Sequence, residues 1–270
     1  MKKIVQISGN WSKYQVDVLQ KYGLMTDVGC DTFFVEEETL DKNICQLFQE
    51  WKVLVTRVVE FEKKEILDSA FCLIDQCREF GYPMPDDDFG YKELTYSITN
   101  EYCERCDIGK HQKDDFRIKN LPKAKFWSLG WVYDEFFVDK AIYEAVFRPF
   151  GVACRSVKNY KKETVIDSIV QLVIPDTDQP LDLSEYEYEI CPVCGKIKYH
   201  AAVKGFFPIQ ENPTLHMYKS KEYFGSGGSS SKKVFVSAQL RDKMLEYRLM
   251  NWRWFVPCVK RETASSSFRV

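Results

Sequence analysis

Two short stretches hold the residue types that bind metals. "CPVCGKIKYH" starts at Cys191 and places Cys194 three positions later, with a glycine directly after it. "NEYCERCDIGKHQ" places Cys103 and Cys106 at the same spacing. A Cys-x-x-Cys turn lets two thiolates face one ion, and a glycine after the second cysteine eases the backbone around it. Two such pairs supply the four ligands of a closed tetrahedral zinc site. The order is that of a zinc ribbon, although ribbons put about 15–20 residues between their pairs. Here 84 residues separate Cys106 from Cys191, so the intervening stretch must fold as a unit of its own. The reading is one structural Zn2+ on Cys103, Cys106, Cys191 and Cys194, with reduced thiols in two tight turns as the plain alternative. A thioredoxin-type redox pair would open a helix after a strand. Both pairs here run on into polar, glycine-containing turns instead.

Little else in the chain suggests chemistry. The histidines are His111, His200 and His216; none has metalloprotease spacing, and no Gly-x-Ser-x-Gly elbow occurs. A four-thiolate site leaves no coordination position for a catalytic water, so the cysteine site is not expected to be catalytic, and an enzyme whose site the sequence does not display is a further alternative. The chain has 270 residues, 29% of them charged, and a formal net charge of −2. That balance argues against a general nucleic-acid or membrane-surface binder, and no stretch approaches the roughly 18 apolar residues of a membrane span. The start, "MKKIVQISGNWSKYQ", reads as a first strand and not as a signal peptide. Ten cysteines without an export signal point to a reduced, cytoplasmic protein, with Cys45, Cys72 and Cys77 as small buried hydrophobes.

The elements that must position the cysteines form a pattern that repeats. After the first pair comes "DEFFVDKAIYEAVFRPFGVACRSV" (134–157), and after the second comes "KKVFVSAQLRDKMLEYRLMNWRWFVPCV" (232–259). Each has Phe-Val and then a residue suited to cap a helix, Asp139 or Ser237. Ile142, Val146 and Phe147 match Leu240, Met244 and Leu245 in offset from the cap, which is one face of a helix. Each helix leads to an apolar strand, 151–157 or 252–259. A fainter echo lies at 32–48. The fold class expected is therefore mixed α+β, an α/β protein with two related strand–helix–strand halves linked by the double Cys-x-x-Cys site. It is divided into an N-terminal α/β region (1–95) and a double-Cys-x-x-Cys region (96–270). In the first region 4–8 and 53–61 read as strands, and 12–22, 38–51 and 63–80 as helices. The stretch 81–90 reads as a turn-rich link, 164–174 as a later strand, and "GSGGSSSKK" (225–233) as a mobile loop.

Two segments suggest partners. From Glu163 to Glu189 there are eight acidic residues and no Lys or Arg. On a strand, "SEYEYEI" would put Tyr186 and Tyr188 on one face and carboxylates on the other. Asp176, Asp178, Asp182 and Glu185 with Tyr186 and Tyr188 form a candidate docking surface for a basic protein, and a solvated edge strand is the plain alternative. The second segment is the basic run Lys110, Lys113, Arg117, Lys119, Lys123 and Lys125, beside Phe126 and Trp127. It would suit a zinc-ribbon nucleic-acid adaptor, but Asp114 and Asp115 interrupt it.

The first pair followed by "FRIKNLPKAKFWSLGWVYDEFFV" and "VFRPFGV", the second by "GKIKYH", and the late "VFVSAQLRDKML" with "FVPCV" together resemble the double-CxxCG-motif proteins over roughly residues 95–260. These are bacterial proteins assigned as immunity proteins of polymorphic toxin systems. The late segment also resembles a broader group of immunity proteins that end in a Phe-x-Ser-helix-strand unit. The resemblance implies a cytoplasmic, non-catalytic binder that neutralises a cognate toxin. One position departs from the motif: Asp107 stands where its first glycine belongs.

Overall fold

The structure is a computed structural model and describes residues 1–99 and 101–259. Residues 260–270 of the expected C-terminal region lie outside the described residues. By contact density the chain forms two units, Met1–Glu65 with Val203–Gly205, and Ile66–Ala202 with Phe206 onward.

In the first unit, Lys2–Trp11 forms β1, whose Val5, Ile7 and Trp11 turn inward by alternation. Helix α1 (Lys13–Lys21) is closed by a capping box: Ser12 accepts from the Gln15 backbone and the Gln15 side chain accepts from the Ser12 N–H. Strand β2 (Gly29–Glu36), helix α2 (Lys42–Glu50) and strand β3 (Leu54–Glu60) complete a sheet ordered β2-β1-β3, with both outer strands antiparallel to β1. Val16, Leu19, Ile44 and Phe48 pack on Trp11 and Phe33 as its core. The helix expected over 38–51 is shorter, because a separate 3-10 turn (Glu37–Thr39) precedes it and Asp41 caps α2 by accepting from the Ile44 N–H at 2.9 Å. Cys45 is exposed, contrary to its reading as a buried hydrophobe. Ile44 and Phe48, four residues apart, take the inner face and leave Cys45 outside.

Helix α3 (Lys63–Asp68) stops well short of the expected Phe80, and Phe71–Ile74 is strand β4. The cause is long-range. The guanidinium of Arg241 donates to the carbonyls of Ile66, Leu67 and Ser69 at 2.6–2.8 Å, capturing the open carbonyls of the helix end. A four-residue apolar run is periodically ambiguous, and with the helix closed it enters a sheet.

The second unit continues with α4 (Tyr91–Thr95), β5 (Tyr96–Ser97), β6 (His111–Gln112), β7 (Arg117–Ile118), β8 (Phe126–Leu129) and β9 (Val132–Asp139). Helix α5 (Lys140–Ile142) runs on as a π turn (Tyr143–Phe147) and a 3-10 turn (Arg148–Phe150) to β10 (Ala153–Arg155), β11 (Lys158–Asn159) and β12 (Ile169–Val173). Then come β13 (Tyr188–Ile190), β14 (Ile197–Tyr199), β15 (Phe207–Pro208), β16 (Met217–Phe224), β17 (Ser231–Ser237), α6 (Ala238–Glu246) and β18 (Phe255–Val259). Two sheets dominate, one ordered β10-β12-β9-β8 and one ordered β13-β14-β16-β17-β4-β18-β15. They meet through β9 and β17.

Both expected strand–helix–strand segments are present, as β9-α5-β10 and β17-α6-β18. In each, a foreign strand separates the two strands: β12 lies between β9 and β10, and β4 between β17 and β18, antiparallel to both neighbours. The faint echo at 32–48 has the same form, β2-α2-β3 with β1 between. Ser237 caps α6 as expected, accepting from the Leu240 N–H. Asp139 sits at the N-cap position of α5 but its side chain makes no cap bond. The Lys140 N–H is taken instead by the Ser168 carbonyl at 2.9 Å, which relieves the end of a donor.

Candidate metal centre

Each cysteine pair closes a β-hairpin. Cys103 and Cys106 lie between β5 and β6, and Cys191 and Cys194 between β13 and β14 at the edge of the large sheet. The two turns share one hydrogen-bond pattern. The Asp107 N–H donates to the Cys103 carbonyl at 2.7 Å and the Gly195 N–H to the Cys191 carbonyl at 2.9 Å. The Cys103 N–H donates to Ile108 and the Cys191 N–H to Lys196, both at 3.0 Å. The residue after the second cysteine is left-handed in both, with φ +71° at Gly195 and φ +63° at Asp107. Aspartate is among the few non-glycine types that tolerate this region, so the motif's one departure leaves the turn intact.

The hairpins bring four sulfurs together, all within 4.8 Å of one another. Cys103 Sγ lies 3.8 Å from Cys191 Sγ, and Cys106 Sγ 3.6 Å from Cys194 Sγ. A tetrahedron with metal–sulfur bonds of about 2.3 Å has edges of about 3.8 Å, so the cluster fits a single ion. Three of the cysteines are buried, Cys194 is exposed, and none of the four is in a disulfide. Backbone N–H groups of Cys194 and Val193 directed at Cys191 lower its thiol to about 6, favouring the thiolate that binds metals. Burial pushes the Cys106 thiol up to about 12, a cost that a bound cation would offset.

A second ring of residues, which spacing did not point to, fixes the hairpins. The Asp107 carboxylate is buried and accepts from Lys92 Nζ at 2.8 Å, from Lys110 Nζ, and from the Tyr102 hydroxyl at 3.2 Å. Lys198, on the inner face of β14 and 1% exposed, donates to the carbonyls of Gly227 and Ser229 and pairs with Glu189. Ser230 Oγ donates to the Asp107 carbonyl at 2.7 Å. The glycine–serine segment expected to be a mobile loop is therefore bonded to both hairpins, because its carbonyls satisfy a buried lysine. Tyr223 packs on the cysteine cluster. The only sequence signal for these partners is alternation, which turns Lys198 inward between Ile197 and Tyr199.

The other expected sites fall as follows. Asp176 pairs with Lys232 at 2.9 Å, and Asp182 accepts from Ser184. Asp178 and Glu185 are exposed. Tyr186 is half-buried against Phe207, with ring centroids 5.7 Å apart, while Tyr188 is exposed beside Tyr199. Only residues 188–190 of "SEYEYEI" are strand, so the tyrosine–carboxylate alternation does not extend along the segment. In the basic run, Arg117 is buried against Asp114 and Glu163, and Phe126 and Trp127 are core residues at 2% and 0% exposure. Those two rings present no face for base stacking. His216 Nδ1 lies 2.8 Å from Ser237 Oγ, which serves as the cap of α6. No described helix is long and apolar enough to cross a membrane. Comparison of the chain with family models, with curated proteins and with solved structures gives no match.

Proposed function

We propose that the chain is a non-enzymatic binding protein of the bacterial immunity kind, which neutralises a cognate toxin in the cytoplasm and carries one structural zinc on Cys103, Cys106, Cys191 and Cys194. The observation that carries the metal part is the set of four sulfurs within 4.8 Å of one another, with two separations of 3.6 and 3.8 Å near a tetrahedral edge. Four-sulfur geometry suits zinc or iron, and a saturated first shell is the structural kind of site. Zinc there would join two hairpins that belong to different sheets, so its binding free energy is folding free energy. The repeated split strand–helix–strand arrangement supports a reading of β9-α5-β10 and β17-α6-β18 as related halves. The immunity part rests on the resemblance of the double-cysteine segments, and the acidic stretch 163–189 would add a negative field that speeds capture of a basic partner.

Two measurements test this. Protein purified without chelator should hold one zinc per chain, and Cys191→Ser should lose the metal and several kcal/mol of stability. Iron at the site overturns zinc, and a metal-free, fully stable wild type overturns the centre. Co-expression with the product of the adjacent gene should relieve growth arrest caused by that product alone. No arrest, or arrest without relief, overturns the immunity reading.

A further inference from the structure

Away from the metal centre, the second unit exposes an aromatic cluster on a strained backbone. The β8–β9 hairpin turns through Gly130 and Trp131, with Trp131 at φ +68°. Its ring lies between Tyr82 (centroids 4.3 Å apart) and Phe89 (4.6 Å), both 48% exposed. Behind it stands buried Tyr91, at 6.2 Å. Asp88 and Phe89 are also left-handed, at φ +46° and +56°. Three non-glycine residues in this region within one patch are costly, and for a bulky aromatic the conformation is an outlier. A Cβ on Gly130 would lie 2.6 Å from Tyr82 Cε1, so glycine is used for the close approach of the ring while Trp131 takes the strained position.

The patch is held in place before any partner arrives. The Phe80 N–H donates to Ser128, the Gly130 N–H to Gly81, the Met84 N–H to Arg117 and the Tyr91 N–H to Pro85, all at 2.8–3.0 Å. A rigid set of rings loses little freedom on docking, and clustered exposed aromatics are the side chains that anchor interfaces. Carboxylates outnumber ammonium groups around them. Asp86, Asp87 and Asp88 adjoin Phe89 on its open side, while the cleft of about 270 Å³ on its other side is lined by Asp88, Glu93 and Glu104 together with Lys92 and Lys110. Of the nearby lysines, Lys92 and Lys110 are both bound to Asp107, Lys92 also lies 5.3 Å from the Phe89 ring centroid, and Lys119 lies 3.7 Å from Asp86. Exposed carboxylates beside exposed rings attract cations, guanidinium groups above all.

We infer that Tyr82, Phe89 and Trp131, with the Asp86–Asp88 run, form the docking surface for a basic protein, which sets an arginine or lysine side chain against those carboxylates beside the rings. The inference rests on the chain being a binding protein; it adds where the partner sits and what chemistry that partner presents.

The test uses the full metal-loaded chain, immobilised, with the purified, catalytically inactivated product of the adjacent gene as the probe. Wild type should bind it. Phe89→Gly and Tyr82→Ser should each weaken binding by about tenfold or more, through faster dissociation. Asp86→Asn/Asp87→Asn/Asp88→Asn should slow association by about tenfold at low salt and flatten its salt dependence. Phe89→Gly also separates function from structure: it removes the ring and relieves the left-handed strain, so its melting temperature should match or exceed that of wild type while binding falls. Unchanged binding by Phe89→Gly and Tyr82→Ser, with wild type binding, overturns the surface and leaves the proposed function standing. Unchanged association by the asparagine variant overturns the basic partner. Failure of wild type to bind overturns the proposed function and this surface together. Salt-sensitive binding of mixed oligonucleotides at the patch would replace the protein partner with nucleic acid.

Discussion

Asp107 shows how a single residue can break a motif and still serve the site. Its backbone adopts the left-handed turn that Gly195 adopts in the other hairpin. Its carboxylate gathers Lys92, Lys110 and Tyr102, and its carbonyl accepts from Ser230. Restoring the motif with Asp107→Gly would relieve the backbone but leave two largely buried ammonium groups without their anion. The expected order of stability is wild type, then Asn, then Gly, then Ala. Gly should lose about 1–3 kcal/mol, and Ala more because its Cβ keeps the strain. Chemical denaturation of the metal-loaded variants reads this order, and a Gly variant at least as stable as wild type would show that the side chain anchors nothing. The four cysteines were legible because thiolate chemistry demands a fixed local spacing. Lys92, Lys198 and Ser230 were not legible, because they reach the centre from distant segments and a lone lysine or serine carries no spacing signal.

At the level of elements, local signals were read well and long-range closures poorly. Ser237 caps the helix that follows it as expected, and the apolar offsets after it place Leu240 and Met244 in the core, whereas Asp139 makes no cap bond. What the sequence could not show is the strand inserted into each strand–helix–strand unit, since β12, β4 and β1 come from outside the pattern. The misread helix over 63–80 has the same origin: its end is set by Arg241, 172 residues beyond Ser69. That guanidinium is 1% exposed and serves three carbonyls. Arg241→Met keeps much of the volume but leaves those acceptors buried and unpaired, so a loss of roughly 3–5 kcal/mol is expected in equilibrium unfolding. Arg241→Lys should recover only part of it, because one ammonium cannot span the fork. A Met variant within about 0.5 kcal/mol of wild type would mean that the helix end is held by something else.

At the largest scale the second unit is two sheets joined by polar bonds as well as by apolar packing. Where β9 faces the large sheet, Lys219 of β16 pairs with Glu135, and Gln171 of β12 donates to the other carboxylate oxygen at 3.0 Å. Asp134 lies 3.8 Å from the same ammonium. Burial raises the Glu135 carboxyl above its ordinary range even so, because desolvation outweighs the attraction of Lys219. Such a pair adds little net stability when intact but is costly to break. Lys219→Met should therefore lose about 3–5 kcal/mol at neutral pH, and Lys219→Met with Glu135→Leu should lose less than Lys219→Met alone. Acidity distinguishes the cause. Without Lys219, the folded Glu135 carboxyl sits still further above its unfolded value. A group raised in the folded state contributes stability below its unfolded pKa and loses it as pH rises through the folded one. The deficit of Lys219→Met relative to wild type at the same pH should thus shrink as pH is lowered from 7 toward 5, while that of the double variant, which lacks the Glu135 carboxyl, should not shrink. A Lys219→Met deficit independent of pH would mean that the cost is packing and not an uncompensated charge.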